Sequence, residues 1–109
     1  MLDLASKKCV PCEGGVPPLE PSEAHALVAK LQEGWGLSKD AKNLHRSYKF
    51  KDFFRTMSFV NAVAHIANTE DHHPDLVIGY NYCRITYSTH SIGGLSANDF
   101  ICAAKIDQL

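Results

Sequence analysis

The chain has 109 residues, enough for one domain with a single core and no more. Its 45% apolar and 21% charged residues match an ordinary globular protein, and a net charge of −1 gives no electrostatic case for nucleic acid or an anionic membrane as the main partner. Residues 1–8 contain no long apolar run, so neither a signal peptide nor a membrane span is expected. Four cysteines are too few for a disulfide scaffold. The expectation is a cytoplasmic protein.

Residues 1–20 form an irregular lead-in. The run Cys9-Val10-Pro11-Cys12-Glu13-Gly14-Gly15-Val16-Pro17-Pro18 is too rich in proline and glycine for a regular helix or a central strand. One domain then occupies 21–109. Pro21 suits a first helical position, and Ala24, Leu27, Val28 and Leu31 recur at helical spacing up to a stop at Gly34. Trp35-Gly36-Leu37 reads as a short extended piece before the turn-like Ser38-Lys39-Asp40. Residues 44–50 alternate, with Leu44, Arg46, Tyr48 and Phe50 on one side, as in a half-buried strand.

Asp52 is a good N-cap for the longest helix, predicted over 53–68. Its inner stripe reads Phe53, Met57, Val60, Ala64 and Ala67, widened by Phe59, Val63 and Ile66. Pro74 forbids continuation and biases His73 towards extended geometry. Residues 76–80 and 82–88 read as two strands around a tight turn at Asn81, the second setting Cys83, Ile85 and Tyr87 against Tyr82, Arg84 and Thr86. Gly93-Gly94 interrupts the chain. Ser96 and Asp99 have capping-box spacing at the start of a last helix, which Phe100, Ile101, Ala103, Ala104 and Ile106 make apolar. The order helix-strand-strand-helix-strand-strand-helix implies an α+β fold. Two hairpins would make a four-stranded antiparallel sheet, with three helices packed on one face.

Six histidines invite a search for chemistry. His25 and His65 lie in helices and His45 on a polar strand face, where a solvated or structural imidazole is the ordinary case. Glu70-Asp71-His72-His73-Pro74 differs, because it puts two imidazoles in a stiffened loop between a helix and a strand. His90, past the following hairpin, can return to the same end of the sheet. Three imidazoles around a pocket could protonate a leaving hydroxyl and take a proton from a neighbouring nitrogen. They could also bind zinc, although adjacent His72 and His73 lack the spacing of a helical metal pair and no further ligand is clearly placed. The reading therefore assigns no metal and no cofactor. Asp99 could cap its helix, orient a pocket group, or do both. Cys9 and Cys12 match a redox or half-zinc spacing, but outside a strand-helix context.

His72-His73-Pro74, the aromatic Tyr80, His90 and Asp99 fall at the spacing of one known motif, and the chain resembles the pterin-4a-carbinolamine dehydratase family. Supporting similarity runs through residues 48–53, 85–90 and 94–96, and the cysteine-containing lead-in looks like bacterial members. The resemblance implies the fold just described, assembled as a homodimer or homotetramer. It implies dehydration of 4a-hydroxytetrahydrobiopterin, or a related pterin, to the quinonoid dihydropterin, which recycles the cofactor of aromatic amino acid hydroxylases, typically phenylalanine hydroxylase. His72, His73 and His90 would be catalytic and line the pterin pocket. His72 and His90 would do acid/base work and His73 would mainly bind and orient. Pro74 would fix the loop, and Asp99 would support the site. Asn68 stands where the family usually has a charged residue or histidine, and would reach the His72 loop as a neutral amide. Family members also imply two alternatives: a non-catalytic dimerisation coactivator, and a dehydratase-like protein of molybdopterin metabolism.

Overall fold

The alternation in residues 82–87 supplies the spine of the fold. The computed structural model describes residues 4–10 and 17–109. Its regular elements are α1 (Pro21–Val28), β1 (Gly36–Leu37), β2 (Leu44–Lys49), α2 (Phe53–Glu70), β3 (Asp75–Ile78), β4 (Tyr82–Tyr87) and α3 (Ala97–Ile106), with short 3-10 turns at Leu4–Ser6 and His90–Ile92. The sheet is antiparallel throughout, in the order β1-β2-β4-β3. Each expected hairpin is present, and the two pair through β2 and β4 from Leu44↔Tyr87 to Lys49↔Tyr82.

On one face of β4, Cys83, Ile85 and Tyr87 are fully buried beside Leu44 of β2, whereas Tyr82, Arg84, Ser47 and Lys49 face outward. Three helices cover the inner face, so the α+β architecture agrees with the expected one. Helix α3 carries a nearly continuous buried run, Asn98–Ala104 and Ile106, and forms the middle of the core rather than a surface helix.

Several details depart from the sequence reading. Helix α1 ends at Val28 instead of running to Gly34. Lys30 and Leu31 close tighter turns onto Leu27 and Val28, and Gln32 then binds Asp107 through its backbone N–H (3.0 Å) and side-chain amide (3.0 Å). Asp107 also accepts from the Trp35 indole at 2.8 Å and Arg46 at 3.2 Å. This distant anchor takes the chain out of the helix before the glycine is reached. On α2, Phe53 is half exposed and Thr56 takes the buried place, its hydroxyl lying 2.8 Å from the Asp52 carbonyl and 2.9 Å from that of Tyr80. A satisfied hydroxyl can be buried where an apolar ring on the adjoining face is not. Finally, β3 stops at Ile78, because Gly79 and Tyr82 close the turn through a 3.0 Å backbone bond and a Cβ at Gly79 would run into the Tyr82 ring. Among the described residues no helix is long and apolar enough to cross a membrane.

Candidate active site

Helix α2 runs two residues past the expected end, to Glu70. Asp71 then adopts a left-handed conformation (φ 52°, ψ 43°), and the N–H groups of Asp71 and His72 both return to the Ala67 carbonyl, that of His72 at 3.1 Å. This C-terminal reversal turns the chain back towards the core, and Pro74 leads it into β3.

The His72 ring lies flat on Tyr87, with centroids 5.7 Å apart and planes 3° from parallel. Its Nε2 is 2.6 Å from Oδ1 of Asp99, which is fully buried in the first turn of α3. The other carboxylate oxygen, Oδ2, accepts from the Thr89 hydroxyl at 2.8 Å and from the Ser96 N–H at 3.0 Å. The Thr89 and Ser96 hydroxyls are 2.7 Å apart. With the Thr89 proton given to Asp99, Ser96 donates to Thr89, and the carboxylate is satisfied as an anion. Asp99 thus does both things its spacing allows: one oxygen caps α3 and the other holds His72.

Burial works against the charged form of His72. The hydrogen bond to Asp99 and the negative charges of Asp99 and Asp71 more than offset it, and the His72 pKa is raised. With Nε2 committed to Asp99, Nδ1 is the nitrogen left to exchange a proton with a ligand.

His72 borders a cavity of about 570 Å³, within the usual size range of small-molecule sites. His73 lines it beside His72, and His90 lines it from the turn after β4. The fold therefore brings the three histidines singled out by the sequence to one space, while His25, His45 and His65 lie outside it. Pro74 sits in the loop behind the lining. Asn68 does not reach the site: it is exposed on α2 and borders no part of the cavity, and the charges near His72 come from Asp99 and Asp71. The helix extension accounts for this, since the loop begins only after Glu70.

One wall was not legible as part of a site. Cys9 and Val10, from the lead-in, border the cavity and are clamped there. The Cys9 N–H donates to Glu70 Oε1 at 2.9 Å. Val10 is held from both sides by the Asn98 amide, its N–H donating to Oδ1 (3.0 Å) and its carbonyl accepting from Nδ2 (2.6 Å). Cys12 lies outside the described residues. Tyr87, Thr89 and Asn98 were also missed as site residues. The alternation of β4 did signal that Tyr87 is buried, and Thr89 stands next to His90, but their partners His72, Ser96 and Asp99 lie across loops that carry no periodic signal. Among the described residues, no group of three or more His, Cys, Asp or Glu side chains is arranged to hold a metal ion.

The family model described as pterin 4 alpha carbinolamine dehydratase matches residues 17–109. A protein of Nitrosomonas eutropha, named provisionally as a pterin-4-alpha-carbinolamine dehydratase, is 57% identical over 98% of this chain and 93% of its own. A Legionella pneumophila protein with the same provisional name is 50% identical over 98% and 95%. Among solved structures, a Brucella melitensis protein described as a transcriptional coactivator/pterin dehydratase superposes with a TM-score of 0.78 at 33% identity, over 84% of this chain and 96% of that one. A pterin dehydratase-like protein described as a RuBisCO assembly factor in the alpha-carboxysome shares the fold, with a TM-score of 0.61 at 20% identity over 71% and 89%. With its sheet, its histidine cavity and these relatives in agreement, the chain belongs to the pterin 4 alpha carbinolamine dehydratase family.

Proposed function

We propose that the chain dehydrates a 4a-hydroxytetrahydropterin, 4a-hydroxytetrahydrobiopterin or a close relative, to the quinonoid dihydropterin. The observation that carries this reading is the His72–Asp99 pair at 2.6 Å, in a cavity that His73 and His90 also border. The reaction breaks the C4a–O and N5–H bonds and forms a C4a=N5 double bond, releasing water without any change of oxidation state. It needs one proton delivered to the hydroxyl and one removed from N5, which two imidazoles can do.

His72 is assigned as the proton donor, because Asp99 stabilises its protonated form, and Nδ1 delivers the proton to the leaving hydroxyl. His90, from the turn after β4, takes the N5 proton, and His73 orients the ring. Asp99 and Pro74 support the site by holding the imidazole and stiffening its loop. In the cell, the product would return to an aromatic amino acid hydroxylase such as phenylalanine hydroxylase, in the cytoplasm.

The direct test is dehydratase turnover of a freshly generated 4a-hydroxytetrahydropterin by the purified chain, with no partner protein. Activity should be well above the uncatalysed rate and should survive dialysis against a chelator. A chain without turnover would leave the coactivator reading in its place, and activity lost on chelation but restored by stoichiometric zinc would overturn proton transfer by free imidazoles. The short edge strand β3, which exposes Val77 and Ile78, suits pairing with a second copy. Light scattering should give a dimer or tetramer rather than a 12.0 kDa particle.

A further inference from the structure

Two sulfurs meet at the cavity wall that the proposed dehydration does not use. Cys9 Sγ lies 3.5 Å from Cys102 Sγ and 3.6 Å from the Asn98 carbonyl. Cys102 is fully buried in α3, whereas Cys9 is partly exposed and borders the cavity. The segment that carries Cys9 precedes the stretch matched by the family model, which begins at residue 17. It is nonetheless built into the domain. Leu4 enters the core, Lys105 Nζ donates to the Ala5 carbonyl at 2.8 Å, and Glu70 and Asn98 hold residues 9 and 10.

We propose that Cys9 and Cys102 are a redox-active thiol pair, which a peroxide converts to a disulfide that ties the N-terminal segment to α3 and fixes one wall of the histidine cavity. The sulfurs are in van der Waals contact, and a bond of about 2.05 Å needs them to close by roughly 1.5 Å. The terminal segment can give that movement while α3 stays in the core.

The steps balance. Cys9, the sulfur the cavity exposes, loses its proton and attacks hydrogen peroxide, becoming a sulfenic acid and releasing hydroxide. Cys102 then attacks the Cys9 sulfur and displaces a second hydroxide, which leaves as water with the protons of the two thiols. In total two thiols and one peroxide give one disulfide and two waters. The surroundings suit Cys102 as the second nucleophile. Its contact with Cys9 lowers the Cys102 pKa, although burial opposes this. Cys9 is pushed up chiefly by that same contact with Cys102 and by burial, so the first step is slow and the pair resists casual oxidation.

The test uses the full chain carrying Cys12→Ser, so that residue 12 cannot capture the Cys9 sulfenic acid. After millimolar peroxide and alkylation, intact mass should show the loss of two hydrogen atoms, and peptide mapping should recover a Cys9–Cys102 cross-link that dithiothreitol reverses. Because the bond would join residues 93 apart, the oxidised form should melt higher, by about 10 °C or more. Cys9→Ser in the same background should show neither change. Stepwise oxygen addition without a cross-link, or a cross-link that leaves the melting temperature unmoved, would overturn the proposal. Mass and melting are read without pterin, so this outcome is independent of whether the chain is a dehydratase.

Discussion

On one flank of the cavity His72 is stacked on Tyr87 and fixed to Asp99, and its side chain is only 13% exposed. On the other flank His90 opens an exposed 3-10 turn, closed by the Thr89 N–H on the Gly94 carbonyl (2.8 Å) and by Gly93 in the left-handed region (φ 70°). His73 is exposed as well. The fixed flank sets a proton affinity, since every polar group around His72 is placed before a ligand arrives. The open flank keeps rotamer freedom and can follow a bound ring. Thr89 joins the two: its hydroxyl belongs to the Asp99 network and its backbone carries the turn of His90.

If the fixed flank carries the harder step, its loss should be the most costly. We expect His72→Ala to lower kcat by about 10³–10⁴-fold and His90→Ala by about 10²-fold, towards the two ends of what positioned proton transfer contributes. His73→Ala should act mainly on KM. Steady-state kinetics of the three variants would break the comparison if His90→Ala proved the most damaging, or if all three altered KM alone.

A smaller effect should come from Asp99→Asn, which removes a charge and keeps the shape. The His72 pKa is raised by Asp99, so the substitution should lower it. With His72 as the acid, the alkaline limb of kcat against pH moves to lower pH; movement of the acidic limb instead would make His72 the base. Stability carries a matching sign. A histidine whose folded pKa is raised stabilises the fold fully below its unfolded value of about 6.5, and that contribution is lost as pH rises through the folded value. The parent should therefore lose some stability across that window, and the variant should lose less. An amide in the Asp99 position keeps the Thr89 and Ser96 bonds through its oxygen only by turning its N–H₂ towards His72, where a neutral Nε2 accepts and a protonated one cannot, costing about 1–3 kcal/mol below the His72 pKa. Denaturant melts at several pH values should therefore show the larger loss on the acidic side.

These contrasts also mark how far sequence reading reaches. The inward set Cys83, Ile85 and Tyr87 follows from a period of two, and the start of α2 from Asp52, whose carboxylate accepts the Arg55 N–H at 2.8 Å. The three histidines and Asp99 were legible from their spacing around Pro74 and the hairpin. What escaped depends on contacts between distant residues. Asp107 halts α1 from 75 positions away, Asn98 clamps Val10 from 88 positions away, and neither leaves a periodic trace. Thr56 escaped for another reason: counting apolar residues alone puts Phe53 in the core and overlooks a hydroxyl that can be buried with its bonds made.

The smallest effect is expected at Asn68, and it sharpens the comparison by showing where the fixed flank ends. By sequence position the residue is four before His72, the distance at which two helical side chains would touch. Helix α2 ends at Glu70, however, and the left-handed Asp71 sends His72 inward while Asn68 stays exposed. A carboxylate introduced by Asn68→Glu would sit in water, where its field is weakened by solvent and salt. His72 already faces the charges of Asp99 and Asp71. The kcat profile should thus superimpose on that of the parent within about 0.2 pH unit, equivalent to about 0.3 kcal/mol of differential stabilisation. Stability should fall by no more than about 0.5 kcal/mol, because the new charge stands near the negative end of the helix dipole. A limb displaced upward by half a unit or more would mean that the charge reaches His72 through the end of α2. The exposed face of that helix would then have to be counted as part of the site.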